Sequence, residues 1–203
     1  VRHLAKWLVS RGCRHLVLAT GPNSSRSMDL RAISRELEQS MLPGHSESLT
    51  VDVVTPADYD FCVYDDVEKF LVRFQKISMI FNLAAVTEDR LFRRMTDISW
   101  TAATGPKVEI TQHLDRATRE MALPHLHAFV VFSSTVAAIG NPGQTNYSFA
   151  NAFMDHLVRQ RCDVSGGQVP VSILNQMEKF SPNDEYLTLI LDNHKYSHPI
   201  FLL

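Results

Sequence analysis

Tyr147 and Ser134 are the two side chains whose types and spacing suit proton transfer to a carbonyl. Ser134 closes the run Phe129-Val130-Val131-Phe132-Ser133-Ser134, whose apolar, β-branched opening has the length of a fully buried strand. Tyr147 follows thirteen residues later on what reads as a helix, with Asn151 four residues beyond it. Placed against a carbonyl oxygen, the phenol could donate a proton as hydride arrives at the carbon. Ser134 could hydrogen-bond and orient the same oxygen. A phenol with a pKa of about 10 needs a nearby cation to act at neutral pH. Lys107, directly after Gly105-Pro106, is the candidate cation. Asn151 shares the helix face of Tyr147 and could hold a water or a backbone carbonyl. The same spacing also suits a half-buried helix tyrosine and a turn-forming serine, and spacing alone leaves both readings open.

The elements that must position these groups follow from periodicity. Helical patterns cover 3–11, 29–41, 65–75, 96–121 and 144–161. Gly105-Pro106 is expected to break the fourth, and Pro43-Gly44 ends the second. Strand patterns cover 15–19, 49–55, 77–83, 129–134 and 169–174. Solid apolar strands alternating with helices predict an α/β fold with a parallel sheet covered on both faces. Ligands of such sheets sit at the carboxyl ends of the strands, where Thr20, Asp58, Asp60, Asn82 and Ser134 fall. After Leu174 the pattern changes to one helical stretch at 185–193, then His194, His198 and Pro199, with no sheet position.

Composition narrows the setting. The 203 residues suffice for one domain with a substantial core, 45% hydrophobic and 21% charged. A formal net charge of −2, with acids and bases interleaved, gives no reason to expect nucleic acid or a membrane surface as partner. Cys13, Cys62 and Cys162 are widely spaced, with no CxxC or Cys/His cluster. A disulfide framework or metal site is therefore not expected, and a reducing, cytoplasmic setting is. No stretch holds eighteen consecutive apolar residues. Val1 is not an initiator methionine, so the chain reads as part of something longer.

VVFSSTVAAIGNPGQTNYSFANAFMDHL resembles the active-site segment of the short-chain dehydrogenase/reductases, in the form found in ketoreductase (β-ketoacyl reductase) domains of type I fatty acid synthases and polyketide synthases. NPGQTNYSFANAFMD is close to the animal-type fatty acid synthase form. FNLAAVTEDRLFRRMT, GPKVEITQHLDRATRE and RHLAKWLVSRGCRHLVL resemble further segments of that family, in the same order. The resemblance spans residues 2–174. It implies a Rossmann-like doubly wound parallel sheet, with 1–174 as a partial NADP-binding ketoreductase domain and 175–203 as a divergent tail. It also implies that Tyr147 donates the proton, Ser134 binds the carbonyl oxygen, Lys107 lowers the tyrosine's pKa and Asn151 supports a relay. Simple members of the superfamily carry lysine four residues after the tyrosine. Here Asn151 stands there and Lys107 sits on an earlier helix, which is the synthase arrangement.

For the cofactor, NADP(H), the resemblance implies Asn82-Leu83-Ala84 beside the nucleotide, Asp60-Phe61 against the adenine, and Thr20 where the family usually places an arginine. Lys107 and Tyr147 would also contact it. Asp89 matches an aspartate associated with one stereochemical class, giving a D-configured hydroxyl, and reads equally as a helix N-terminal acid. Arg26 reads as a substitute for the missing arginine or as a solvated loop residue. The chain has eight glycines and no G-x-G-x-x-G. The first strand and glycine-rich turn are thus expected ahead of Val1, leaving an unpaired, apolar edge where that strand belongs. The implied activity is NADPH-dependent reduction of a 3-oxoacyl thioester, held on an acyl carrier protein among the other domains of a synthase. The alternatives are a catalytically silent remnant unable to bind NADPH alone and a free-standing dehydrogenase of small alcohols, against which Asn151 argues.

Overall fold

All seven residues of the strand Ala128–Ser134 are buried, as a strand covered on both faces requires. A computed structural model describes residues 1–21, 27–40, 48–164, 169–175 and 198–203. Arg26, Pro43-Gly44, the 185–193 stretch and His194, singled out above, lie outside the described residues. In chain order the elements are α1 (Arg2–Ser10), β1 (His15–Ala19), α2 (Ser27–Ser40), β2 (Thr50–Val54), α3 (Tyr64–Arg73) and β3 (Met79–Asn82). A 3-10 turn at Phe92–Arg94 precedes α4 (Asp97–Glu120), β4 (Ala128–Ser134), α5 (Val136–Ile139), α6 (Thr145–Val164), β5 (Val169–Asn175) and β6 (Ile200–Leu202).

The six strands form one sheet in the order β2-β1-β6-β3-β4-β5, with every pairing parallel. Side chains alternate across it, as strand geometry dictates. Leu16, Leu18, Phe81, Ile200 and Leu202 pack with Leu4 and Leu8 of α1 and Leu37 of α2 on one face. Val17, Ile80, Phe129 and Phe201 pack with Phe70 of α3, Leu114 of α4 and Met154 of α6 on the other. The Rossmann-like expectation is met.

The central slot between β1 and β3, where the resemblance places a first strand, is occupied by β6. Ile200-Phe201-Leu202 pairs with Leu16-Val17-Leu18 on one side and Met79-Ile80-Phe81 on the other. All three β6 residues are 0% exposed. Flanking bonds extend the ladder: Ser78 donates its N–H to Pro199 O at 2.8 Å, and Leu83 to Leu203 O at 2.9 Å. The expected open edge is therefore closed by residues to which the sequence pattern assigned no strand. Four apolar residues after a proline, three of them in β6, are too short a run to register as an element, yet a central slot needs only that length.

The break expected at Gly105-Pro106 does not occur; α4 runs continuously from Asp97 to Glu120. Proline costs the helix one backbone bond, and the burial of Ala103, Ile110 and Leu114 on either side offsets it. A capping box of Thr96 and Ser99 fixes the start of this helix, and so fixes where Lys107 lies along it.

Candidate active site

The carboxyl end of β4 leads into α5 and then α6, and short-range bonds set their mutual position. The Val136 N–H donates to Ser134 Oγ at 3.3 Å, and Ser148 Oγ donates to Val136 O at 2.9 Å. Ser134, at the end of β4, is thereby tied through α5 to the residue next to Tyr147 on α6. Gly140 and Gly143, both at positive φ, make the turn between α5 and α6. Ser134 is 3% exposed and Tyr147 8%.

Lys107 reaches the same place from α4. Its Nζ donates to Phe132 O at 2.8 Å and lies 5.5 Å from the centroid of the Tyr147 ring. A cation over a phenol ring is attracted by the ring quadrupole. Burial pushes the Lys107 pKa down to about 7, with the Asp155 carboxylate acting in the opposite sense. Asn151 Nδ2 donates to Tyr147 O at 2.7 Å, and Ser133 Oγ contacts Asn151 O at 3.5 Å. Asn151 Oδ1 is buried without a partner among the described residues. Ser134, Tyr147, Lys107 and Asn151 thus gather around the end of β4.

The residues expected to serve a cofactor divide. Thr20, Leu83 and Ala84 line a cavity of about 1040 Å³ at the carboxyl ends of β1, β6 and β3. Thr20 Oγ1 is buried and unpartnered among the described residues. Asn82 shapes the wall instead of lining it: Nδ2 donates to Thr111 Oγ1 at 2.8 Å, and Oδ1 accepts the Ala84 N–H at 3.0 Å. Asp60 Oδ1 accepts the Cys62 N–H at 2.9 Å. Phe61 is 0% exposed, with its ring 5.0 Å from Phe70 and 5.3 Å from Phe201. The chain's contribution to the cavity at that point is Cys62, whose thiol is pushed up to about 12, chiefly by burial and then by the Asp60 and Glu109 carboxylates. Asp89 is exposed, begins no helix, and accepts Gln144 Nε2 on both carboxylate oxygens at 3.0 and 3.1 Å.

Two features escaped the sequence reading. Asn146 Nδ2 donates to Glu88 O at 3.0 Å and Ser99 O at 3.2 Å, clamping the strand-end segment and α4 to the residue before Tyr147. Its position directly before the tyrosine was the available signal. The described cavity lining also carries three carboxylates, Glu88, Asp97 and Glu109, and no Lys, Arg or His. Those three lie far apart in sequence, and only the fold shows that they share a wall.

A family model described as "KR domain" matches residues 1–174. Among curated proteins, the highly reducing polyketide synthase resH of Aspergillus sclerotiorum is 34% identical over 201 residues, 98% of this chain and 7% of that protein. The highly reducing polyketide synthase VdtX of Byssochlamys spectabilis is 31% identical over 85% of this chain, again 7% of its own length. The chain thus spans a small fraction of the length of these relatives. Among solved structures, an N-terminal ketoreductase from the macrolactin assembly line superposes with a TM-score of 0.70 at 20% identity, covering 98% of this chain and 41% of that one. A metagenomic short-chain oxidoreductase, solved in complex with NADP, gives 0.73 at 16% identity, covering 100% and 89%. At those identities the structures support the fold. Family-model coverage of residues 1–174 settles the grouping: the chain belongs to the KR domain family.

Proposed function

We propose that the chain is the catalytic part of a ketoreductase that reduces a 3-oxoacyl thioester to the 3-hydroxyacyl form with NADPH. The observation that carries this reading is the Lys107 ammonium 5.5 Å from the Tyr147 ring centroid beside the end of β4. That the relatives are highly reducing polyketide synthases supports a polyketide synthase as parent over a fatty acid synthase. An acyl carrier protein and the other synthase domains are the partners on this reading, in the cytoplasm. No helix among the described residues is long and apolar enough to cross a membrane.

The residues fit the cofactor at one end. A cavity of about 1040 Å³ matches the upper range for small-molecule sites, about 1,000 Å³. Thr20 offers an unpartnered hydroxyl to a ribose or phosphate oxygen, while Leu83 and Ala84 form the neighbouring wall. When bound, NADPH supplies the hydride. Tyr147 donates its hydroxyl proton to the carbonyl oxygen as negative charge develops there, and Ser134 orients that oxygen through a hydrogen bond. Lys107, as the ammonium, favours the phenolate that this proton donation leaves. Asn151 holds the Tyr147 carbonyl and so keeps the α6 turn that aims the phenol. Asp89, held by Gln144, is the candidate for setting which face of the carbonyl is presented.

Tyr147→Phe, made in the chain preceded by a strand and glycine-rich turn, tests the mechanism. Reductase activity should fall by two or more orders of magnitude, with NADPH affinity nearly unchanged. Retained turnover would remove the tyrosine from its role.

A second reading, a silent remnant, is favoured by one observation: the described cavity lining carries Glu88, Asp97 and Glu109 and no basic residue, an unfavourable wall for pyrophosphate. NADPH fluorescence titrations of this chain and of the same chain preceded by a strand and glycine-rich turn separate the two. Weak binding by the first and clear binding by the second supports the ketoreductase reading. Weak binding by both supports the remnant.

A further inference from the structure

The segment between β3 and α4 carries Arg90-Leu91-Phe92-Arg93-Arg94, all exposed, with Phe92 at 70%. It is pinned to the site: the Arg90 N–H donates to Gly143 O at 2.8 Å, and neighbouring Asp89 is held by Gln144 just before α6. Ile98, at the start of α4, and Ile139, at the end of α5, are 83% and 82% exposed on the segments that flank it. Apolar side chains this exposed around a site mouth mark a contact surface.

Charge identifies the kind of partner. Arg90, Arg93 and Arg94 make no ion pair or side-chain hydrogen bond among the described residues. None of the nearby carboxylates pairs with them among the described residues. Glu88 and Asp97 line the cavity, which none of the three arginines does, and Asp89 is engaged by the Gln144 amide. The cavity wall is therefore acidic, whereas the exposed Arg90–Arg94 segment carries three arginines on either side of Phe92. A second copy docking through the same patch would set arginine against arginine, since a two-fold interface joins identical surfaces.

We infer that Arg90–Arg94 is the docking surface for the acidic face of the carrier domain that delivers the acyl thioester. This rests on the ketoreductase reading for the partner's identity. Complementary charge steers encounter and fixes orientation, and Phe92 is the apolar anchor. Docking there places the tethered acyl arm beside Gln144 and the turn that leads to Tyr147.

The test uses the chain preceded by a strand and glycine-rich turn, as in the NADPH titration above, and an excised acyl carrier domain of net negative charge, with and without a 3-oxobutanoyl group on its arm. Binding is read by fluorescence anisotropy, and reduction is followed for the carrier-bound group and for the same acyl group on a small soluble thiol. The triple variant Arg90→Glu, Arg93→Glu, Arg94→Glu should weaken carrier binding about tenfold or more, and Phe92→Ser severalfold. Lys76→Glu, at the amino end of β3, should leave it unchanged. Wild-type binding should fall steeply with salt. Small-thioester reduction should be the same in all variants, which also reports intact folding. Carrier binding that ignores the arginine reversals overturns the inference, as does a chain dimer in sedimentation that Phe92→Ser dissolves. Patch-dependent carrier binding without reduction of either substrate leaves the docking surface standing and overturns the ketoreductase reading instead.

Discussion

Lys107 Nζ donates to the Phe132 carbonyl at 2.8 Å, so α4 grips β4 two residues before Ser134. One side chain thus does two things: it ties the helix to the end of β4, and it sets a cation over the Tyr147 ring. The bond is made by a group that burial holds at a pKa of about 7, against an ordinary 10.5. Between those values the folded chain binds fewer protons than the unfolded chain, so folding stability rises with pH across that window. Below about pH 7 both states carry the charge, and the folded one bears the full cost of burying it. Compared with Lys107→Met, the wild-type chain should gain roughly 1 kcal/mol per pH unit between pH 7.5 and 9.5. Urea midpoints of the two proteins at several pH values provide the measurement, and parallel profiles would contradict it.

Phe201 is the pivot of the sheet. Its ring lies 4.6 Å from Phe70 and 5.3 Å from Phe61, and its strand holds β1 and β3 together. Truncating a buried phenylalanine costs about 3–5 kcal/mol, a large share of the 5–15 kcal/mol typical of a domain. Phe201→Ala should therefore abolish a cooperative urea transition or shift it far down, whereas Phe201→Leu should shift it modestly. An unchanged midpoint in Phe201→Ala would mean that β6 contributes little to the sheet.

What the sequence disclosed follows from range. Val130, Val131 and Phe132 announce a buried strand by composition, and Leu4, Leu8 and Val9 a helix by spacing, because local patterning records burial. Lys107 and Tyr147 are forty residues apart, and only resemblance joined them before the fold did. Ile200-Phe201-Leu202 was invisible because three residues carry no periodicity, and their place depends on a gap between strands elsewhere in the chain. Phe61 was expected at the nucleotide and lies in the core, because its ring meets Phe70 and Phe201 while Cys62 takes the cavity wall. The acidic wall of Glu88, Asp97 and Glu109 assembles only when α4 packs beside the end of β3.

Thr20 offers a test of the cavity with a sign that differs between free and bound protein. Its hydroxyl is buried and lacks a partner among the described residues. An unmet buried hydroxyl costs about 1–3 kcal/mol, so Thr20→Val should leave the free chain as stable or about 1 kcal/mol more so. The same change should weaken any ligand that uses the hydroxyl, read as a smaller thermal shift with NADPH. A valine variant that is clearly less stable when free would show that the hydroxyl makes a bond in solution.

Arg161 and Asp115 decide how α6 sits on α4, and with it where Tyr147 lies relative to Lys107. Arg161 Nη1 donates to Asp115 Oδ1 at 2.7 Å and to Thr118 Oγ1 at 3.0 Å, and the guanidinium lies 4.6 Å from the centroid of the Phe129 ring. The Arg161 side chain is 1% exposed and that of Asp115 14%. Burial lowers the pKa of Arg161, and the Asp115 carboxylate opposes that shift. Removing one partner of a buried pair leaves an uncompensated charge and costs about 3–5 kcal/mol, whereas replacing both with apolar groups is often close to neutral. Asp115→Ala should therefore destabilise strongly, and Asp115→Leu combined with Arg161→Leu should recover most of that loss. Urea midpoints of the two variants test the pairing directly: a double variant as unstable as Asp115→Ala would mean that packing by the arginine stem, not its charge, holds the two helices.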